Sequence, residues 1–190
     1  MALTLHGYIN TTKMCAVNVD AMNCAGVYTT GDVDNGTIVV LSAMNTVPSG
    51  TNQGYIEGYE YTVTLAAQNQ TGDVWVVASP EVGTTIDQQI LSDPRYFYNV
   101  AGTTMSLKYL VDGVDCIEVT AECFTAGLPD NVTNKFVTIA ANGKLTAAAT
   151  APTGTVGVGY FTVEGLHTVT IGATEVPTAV LRYHRVKATS

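Results

Sequence analysis

The sequence predicts a mainly β protein, an antiparallel β-barrel or sandwich with at most one short helix. Short runs of alternating or continuous β-branched residues recur along it, Gly, Asn, Asp and Pro punctuate them, and helical periodicity is nearly absent. Eight strands are expected: Thr37 to Leu41, Tyr59 to Leu65, Val74 to Ala78, Cys116 to Ala121, Lys135 to Ala140, Gly159 to Val163, Thr168 to Ile171 and Ala179 to Val186. The second is the most regular, since Tyr59, Tyr61, Val63 and Leu65 alternate with Glu60, Thr62 and Thr64 and so place one row against a core.

Turn chemistry supports hairpins between these runs. Asn35-Gly36, Thr71-Gly72-Asp73, Asp112-Gly113 and Asn142-Gly143 all supply residues that tolerate positive φ. Between Pro80 and Gly102 the pattern changes: Thr84 to Leu91 reads as one short helix ended by Asp93-Pro94, and Arg95-Tyr96-Phe97-Tyr98 reads as an aromatic cap on a core. The stretch Lys144 to Thr155 reads as a loop, because Ala and Gly offer little area to bury. The change in punctuation suggests two β subdomains, residues 1–100 and 101–190.

Composition limits the function classes. Hydrophobic residues make up 46% of the 190 and charged residues only 13%, about half the usual share of roughly 25%. A surface built from Thr, Ser, Asn, Gln, Gly and Ala loses little side-chain entropy when a partner covers it. The net charge of −8 and pI near 4.6 disfavour nucleic acid and anionic membranes as partners. Arg182, Arg185 and Lys187 alternate with apolar residues near the end and are expected on a solvated face. No apolar run reaches the roughly 20 residues that span a bilayer, and no secretion signal opens the chain, so synthesis in the cytoplasm is expected. Asn10, Asn35, Asn69 and Asn131 head glycosylation-type triplets and are read as turn residues.

Chemistry-bearing motifs are scarce. The three histidines, His6, His167 and His184, have no local nucleophile signature, so no catalytic residue is assigned. Asp32-Val33-Asp34-Asn35-Gly36 brings two carboxylates together, but its Gly arrives one position too early for a calcium loop and no distal Glu follows. It reads as a tight turn into a strand, and neither a metal nor a cofactor is assigned. Cys15, Cys24, Cys116 and Cys123 lack zinc or redox spacing and are expected as free thiols.

The run Asp32 to Leu41, followed by Asp73 to Val82 with its Ala78-Ser79-Pro80-Glu81, resembles small virion proteins encoded beside the major capsid protein of tailed phages. Val111 to Thr120 and Lys135 to Leu145 look like the rest of that layout. The resemblance implies a capsid decoration, or cement, protein that binds the outside of the head and bridges major capsid protein subunits. It also implies self-association, with a trimer expected, and localisation on the virion surface. Asp32, Asp34, Asn35, Arg95 and Tyr96 are the expected contact residues. Two other readings remain open: a displayed binding module or tail subunit, with Tyr55, Tyr59, Tyr61 and Trp75 as an aromatic platform, and a hydrolase using His167 or His184.

Overall fold

A computed structural model describes residues 4–44, 60–82, 93–130, 133–171 and 174–188. These carry eleven strands: β1 (Ile9–Lys13), β2 (Asn23–Val27), β3 (Ile38–Met44), β4 (Glu60–Leu65), β5 (Trp75–Val77), β6 (Thr104–Tyr109), β7 (Cys116–Thr120), β8 (Phe136–Ile139), β9 (Leu145–Ala148), β10 (Gly159–Ile171) and β11 (Thr174–Arg185). Strands β2-β4-β3-β5-β6 close into a barrel, and β1-β7-β11-β10-β8-β9 form an open sheet. The mainly β, barrel-forming class expected from the sequence is therefore present. One pairing departs from the antiparallel rule, since β2 runs parallel to β4.

The barrel is narrow, and its lining shows why. Val39, Val63, Val77, Met105 and Leu107 fill it, with Tyr61, Leu65, Cys24 and Trp75 packed against them. Gly26 on β2 leaves the space these side chains need: a Cβ there would stand 2.5 Å from Leu107 Cδ1 and 2.9 Å from Val63 Cγ1. The alternation on β4 points Tyr61, Val63 and Leu65 inward, as the sequence predicts.

The outer wall of the barrel is also buried. Ile38, Val74, Val76, Ala66 and Leu110 pack with Ile9, Ile117, Val119, Val137, Ile139, Phe161, Leu181 and Tyr183 of the sheet in one core. Strands β3 and β5 are thus covered on both faces, which accounts for the unbroken apolar runs Ile38 to Leu41 and Val74 to Val77. At the rim of this shared core, the Arg185 guanidinium lies 5.9 Å from the Tyr109 ring and 5.8 Å from the Tyr183 ring. Its Nη2 donates to Asp73 Oδ1 at 2.9 Å, and Tyr109 packs edge-on against Trp75. Arg185, expected on a solvated face, instead ties β11 to the barrel; Arg182 and Lys187 pair with Glu164 and Asp112.

Other expectations need correction. The strands expected at Gly159 to Val163 and Thr168 to Ile171 are one: β10 runs through Gly165-Leu166, and its register with β11 shifts between Val163 and Gly165. The stretch from Lys144 begins with β9, which pairs with β8 through the Asn142-Gly143 turn. Gly143 is required there, with φ of +72° and a Cβ position only 2.2 Å from Ile38 O. Asn10 sits in β1 rather than in a turn. The two sheets interleave along the sequence, because β1 joins the C-terminal strands and β6 completes the barrel. The helix expected over Thr84 to Leu91, and Tyr55 and Tyr59, lie outside the described residues.

Candidate interaction surface

The two segments expected to carry contacts meet in space. Val33 and Asn99 exchange backbone hydrogen bonds of 2.9 and 2.8 Å, which sets the turn at 32–36 beside residues 93–99. Asp32 is exposed and accepts from the Ala101 N–H at 2.9 Å. Asp34 Oδ1 lies 2.7 Å from His6 Nδ1, and its Oδ2 lies 3.7 Å from Lys144 Nζ. The two carboxylates thus engage different partners and do not converge on a common point.

Asn35 was expected at the contact surface, and its burial corrects that expectation: it is 1% exposed. Its Nδ2 donates to Ser79 O at 2.9 Å and its Oδ1 accepts from Ser79 N–H at 3.0 Å, so one amide satisfies both backbone groups of a residue 44 positions away. Asn99 Nδ2 reaches the same Oδ1 at 3.4 Å, and Asn35 Nδ2 reaches Glu81 Oε1 at 3.4 Å. The sequence marks Asn35 as a turn residue, but its side chain is a clamp between the turn and the strand end.

Arg95 and Tyr96 belong to a single 3-10 turn, Pro94–Tyr96, capped by the Asp93 side chain. The Arg95 guanidinium folds back on Asp93, with Nε and Nη2 at 3.2 and 2.8 Å from its oxygens, and holds that carboxyl below its ordinary range. Both residues are half-buried, and Phe97 beside them is buried. The Arg95 carbonyl accepts from His6 N–H at 2.7 Å, and the His6 ring packs 4.7 Å from Tyr98.

The histidine environments bear on the hydrolase reading. His6 and Asp34 form an acid–base pair, and the nearby thiol is Cys123, whose Sγ lies 3.5 Å from Asn35 O and 3.6 Å from Tyr8 O. Burial pushes that thiol up to about 12, so it is not an activated nucleophile. Cys24 is likewise pushed up to about 12 by burial, and all four cysteines are free. His184 Nε2 lies 3.1 Å from Thr162 Oγ1, but that hydroxyl donates its proton to Glu164 Oε1 at 3.1 Å. Glu164 thus competes with the imidazole for the one hydroxyl proton. His167 is exposed in a depression of about 260 Å³ with Lys13, Cys116, Glu164 and Arg182, its Nδ1 3.7 Å from Glu118 Oε1. The only thiol there, Cys116, is buried, and that burial raises its pKa.

The aromatic platform is not assembled from its described members. Tyr61 packs against the barrel interior, and Trp75 packs there as well, edge-on to Tyr109. Two larger grooves among the described residues lie elsewhere and share Ser79, Pro80 and Ser106. A larger groove of about 590 Å³ runs past Cys24, Phe97, Asn99 and Met105. A second, of about 360 Å³, lies between Tyr8 to Thr11 of the sheet edge and Ala78 to Glu81, with Lys108 on its wall. No local signal marks this second groove, because its walls come from segments about 70 residues apart, Tyr8 to Thr11 and Ala78 to Glu81.

Comparison with known proteins adds no relative: no family model matches the chain, and neither a curated protein nor a solved structure does.

Proposed function

We propose that this chain is a virion structural protein that binds the outer surface of a phage capsid and stabilises the head by bridging major capsid protein subunits. The observation that carries the reading is the Asn35 clamp. The two motifs that resemble virion proteins, one around Asp34-Asn35-Gly36 and one ending Ala78-Ser79-Pro80-Glu81, are parts of one unit: β3 pairs with β5, and Asn35 holds both backbone groups of Ser79. Their order in the sequence thus has a shared physical cause, which supports treating them as one inherited layout rather than as two common turns.

The surface chemistry is compatible with that role. A chain with few charged side chains can be covered over large areas at low desolvation cost, and many modest contacts protect an assembled shell by mass action. No catalytic step, cofactor or metal enters the reading. Self-association as a trimer on the capsid surface accompanies it, and sedimentation velocity of the purified protein checks that part.

The test is co-sedimentation of the protein with shells assembled without it, followed by a heat challenge. Saturable binding with a raised rupture temperature is the expected result. No binding at micromolar concentration removes the cement reading and favours a displayed binding module.

A further inference from the structure

We infer that the groove between the β1 edge and residues Ala78 to Glu81 receives an extended, basic segment of the shell protein as an added strand of the open sheet. The inference rests on the cement reading and names the attachment site within it.

Three observations converge on this groove. First, β1 is an outer strand whose inner side alone is paired: Tyr8 O accepts from Thr120 N–H at 3.2 Å, and Asn10 stands opposite Glu118. Strand alternation then turns the N–H and C=O of Ile9 away from β7, and one pleat further the N–H of Thr11. The Thr11 carbonyl already accepts from Met14 N–H, so three backbone groups without a partner among the described residues stay available to an incoming strand. Second, Tyr8 to Thr11 line a cavity of about 360 Å³ whose other lining residues are Ala78 to Glu81, Ser106 and Lys108. A backbone edge facing a walled groove selects an extended chain, because only a strand presents hydrogen-bonding groups at the matching spacing.

Third, the groove carries a charge preference. Glu81 on its wall has no cationic partner among the described residues; its carboxylate accepts from Asn35 Nδ2 at 3.4 Å and from its own backbone N–H. The one cation lining the groove, Lys108, is already committed to Asn23 Oδ1 at 2.9 Å. Partial desolvation raises the Glu81 carboxyl, so its ionised form costs the free protein some stability, as expected of a group kept for a partner. An incoming Lys or Arg would relieve that cost, and the chain's net charge of −8 favours a basic segment generally.

The test uses full-length protein on shells assembled without it. Amide hydrogen exchange is read on the bound protein, and affinity is measured for Thr11→Pro, Glu81→Lys and, as a control on the exposed part of β10, Leu166→Ser. The expected result is slowed exchange at the amides of Ile9 and Thr11 on binding. Both groove variants should bind about tenfold more weakly and the control as the original protein does. A melting curve accompanies each variant; if Thr11→Pro melts early, Glu81→Lys and the exchange data decide. Unchanged affinity with unslowed amides overturns the groove as the site while leaving shell binding in place. Failure of the original protein to bind overturns the cement reading itself.

Discussion

The barrel and the open sheet solve the same problem in opposite ways. Every barrel strand has a neighbour on each side, so closure leaves no unpaired backbone edge, and the interior is filled to the point that Gly26 cannot carry a Cβ without displacing Leu107. The sheet stays open at β1 and β9. Its β9 edge is partly covered, since Leu145 O accepts from Thr125 N–H at 2.9 Å and the two threonine hydroxyls of Thr125 and Thr146 meet at 2.8 Å. The β1 edge instead faces a groove. The difference teaches that closure supplies rigidity in one half, while the other half retains backbone that can still bond to a partner.

The strongest way to break this comparison is to ask whether the halves are separable. Leu181 lies in the sheet and reaches the shared core, so Leu181→Ala should cost about 2–5 kcal/mol. The single tryptophan, Trp75, sits on β5 with its side chain packed against the barrel interior, so its fluorescence follows chiefly that half. Urea unfolding of Leu181→Ala followed by Trp75 fluorescence and by far-ultraviolet circular dichroism should give coincident, shifted transitions. A fluorescence transition that stays in place would mean that the barrel folds without the sheet.

The next largest effect concerns the clamp. Asn35→Ala strands the buried N–H and C=O of Ser79 and should cost about 2–3 kcal/mol. Chemical denaturation measures it, and a change under about 0.5 kcal/mol, the range of an ordinary surface substitution, would show that the clamp is dispensable. Gly26→Ala should cost about 1–3 kcal/mol by overpacking the barrel, with Trp75 fluorescence changing as its surroundings adjust.

The smallest effects are electrostatic. The Asp73 carboxyl is held low by the Tyr109 hydroxyl and then by Arg185, Asp93 by Arg95, and Glu164 by Arg182. Carboxyls depressed in the folded state add stability that is present above their unfolded values near 4 and is lost as pH falls through the lower folded values. Melting temperature should therefore drop on acidification below about pH 4, and Arg185→Gln should flatten the part due to Asp73. Glu81 has the opposite sign: its raised carboxyl weakens the fold once ionised, so Glu81→Gln should melt slightly higher at neutral pH and as the original protein does in acid.

Strands were legible where alternation or β-branched runs were strong, as in β3, β4, β7 and β8. β1 was not, since Ile9-Asn10-Thr11-Thr12-Lys13 is a polar edge strand with one buried residue. β2 escaped because barrel closure demands the small residues Ala25 and Gly26, which erase the hydrophobic signal. β6 did carry a readable pattern, Met105, Leu107 and Tyr109 alternating with Ser106 and Lys108. Among the expected contact residues, the internal roles of Asn35 and Arg95 were not legible, because their hydrogen bonds go to Ser79 and Asp93, and only the fold sets the Asn35 side chain against Ser79. Glu81 gained its place only when the fold set it across from β1.

The most direct test of the central claim is an electron cryo-microscopy reconstruction of shells mixed with the protein. The account predicts additional density on the outer surface between neighbouring capsid subunits, with the β1 edge turned toward the shell and the barrel away from it. A reconstruction with a bare outer surface at saturating protein would contradict it.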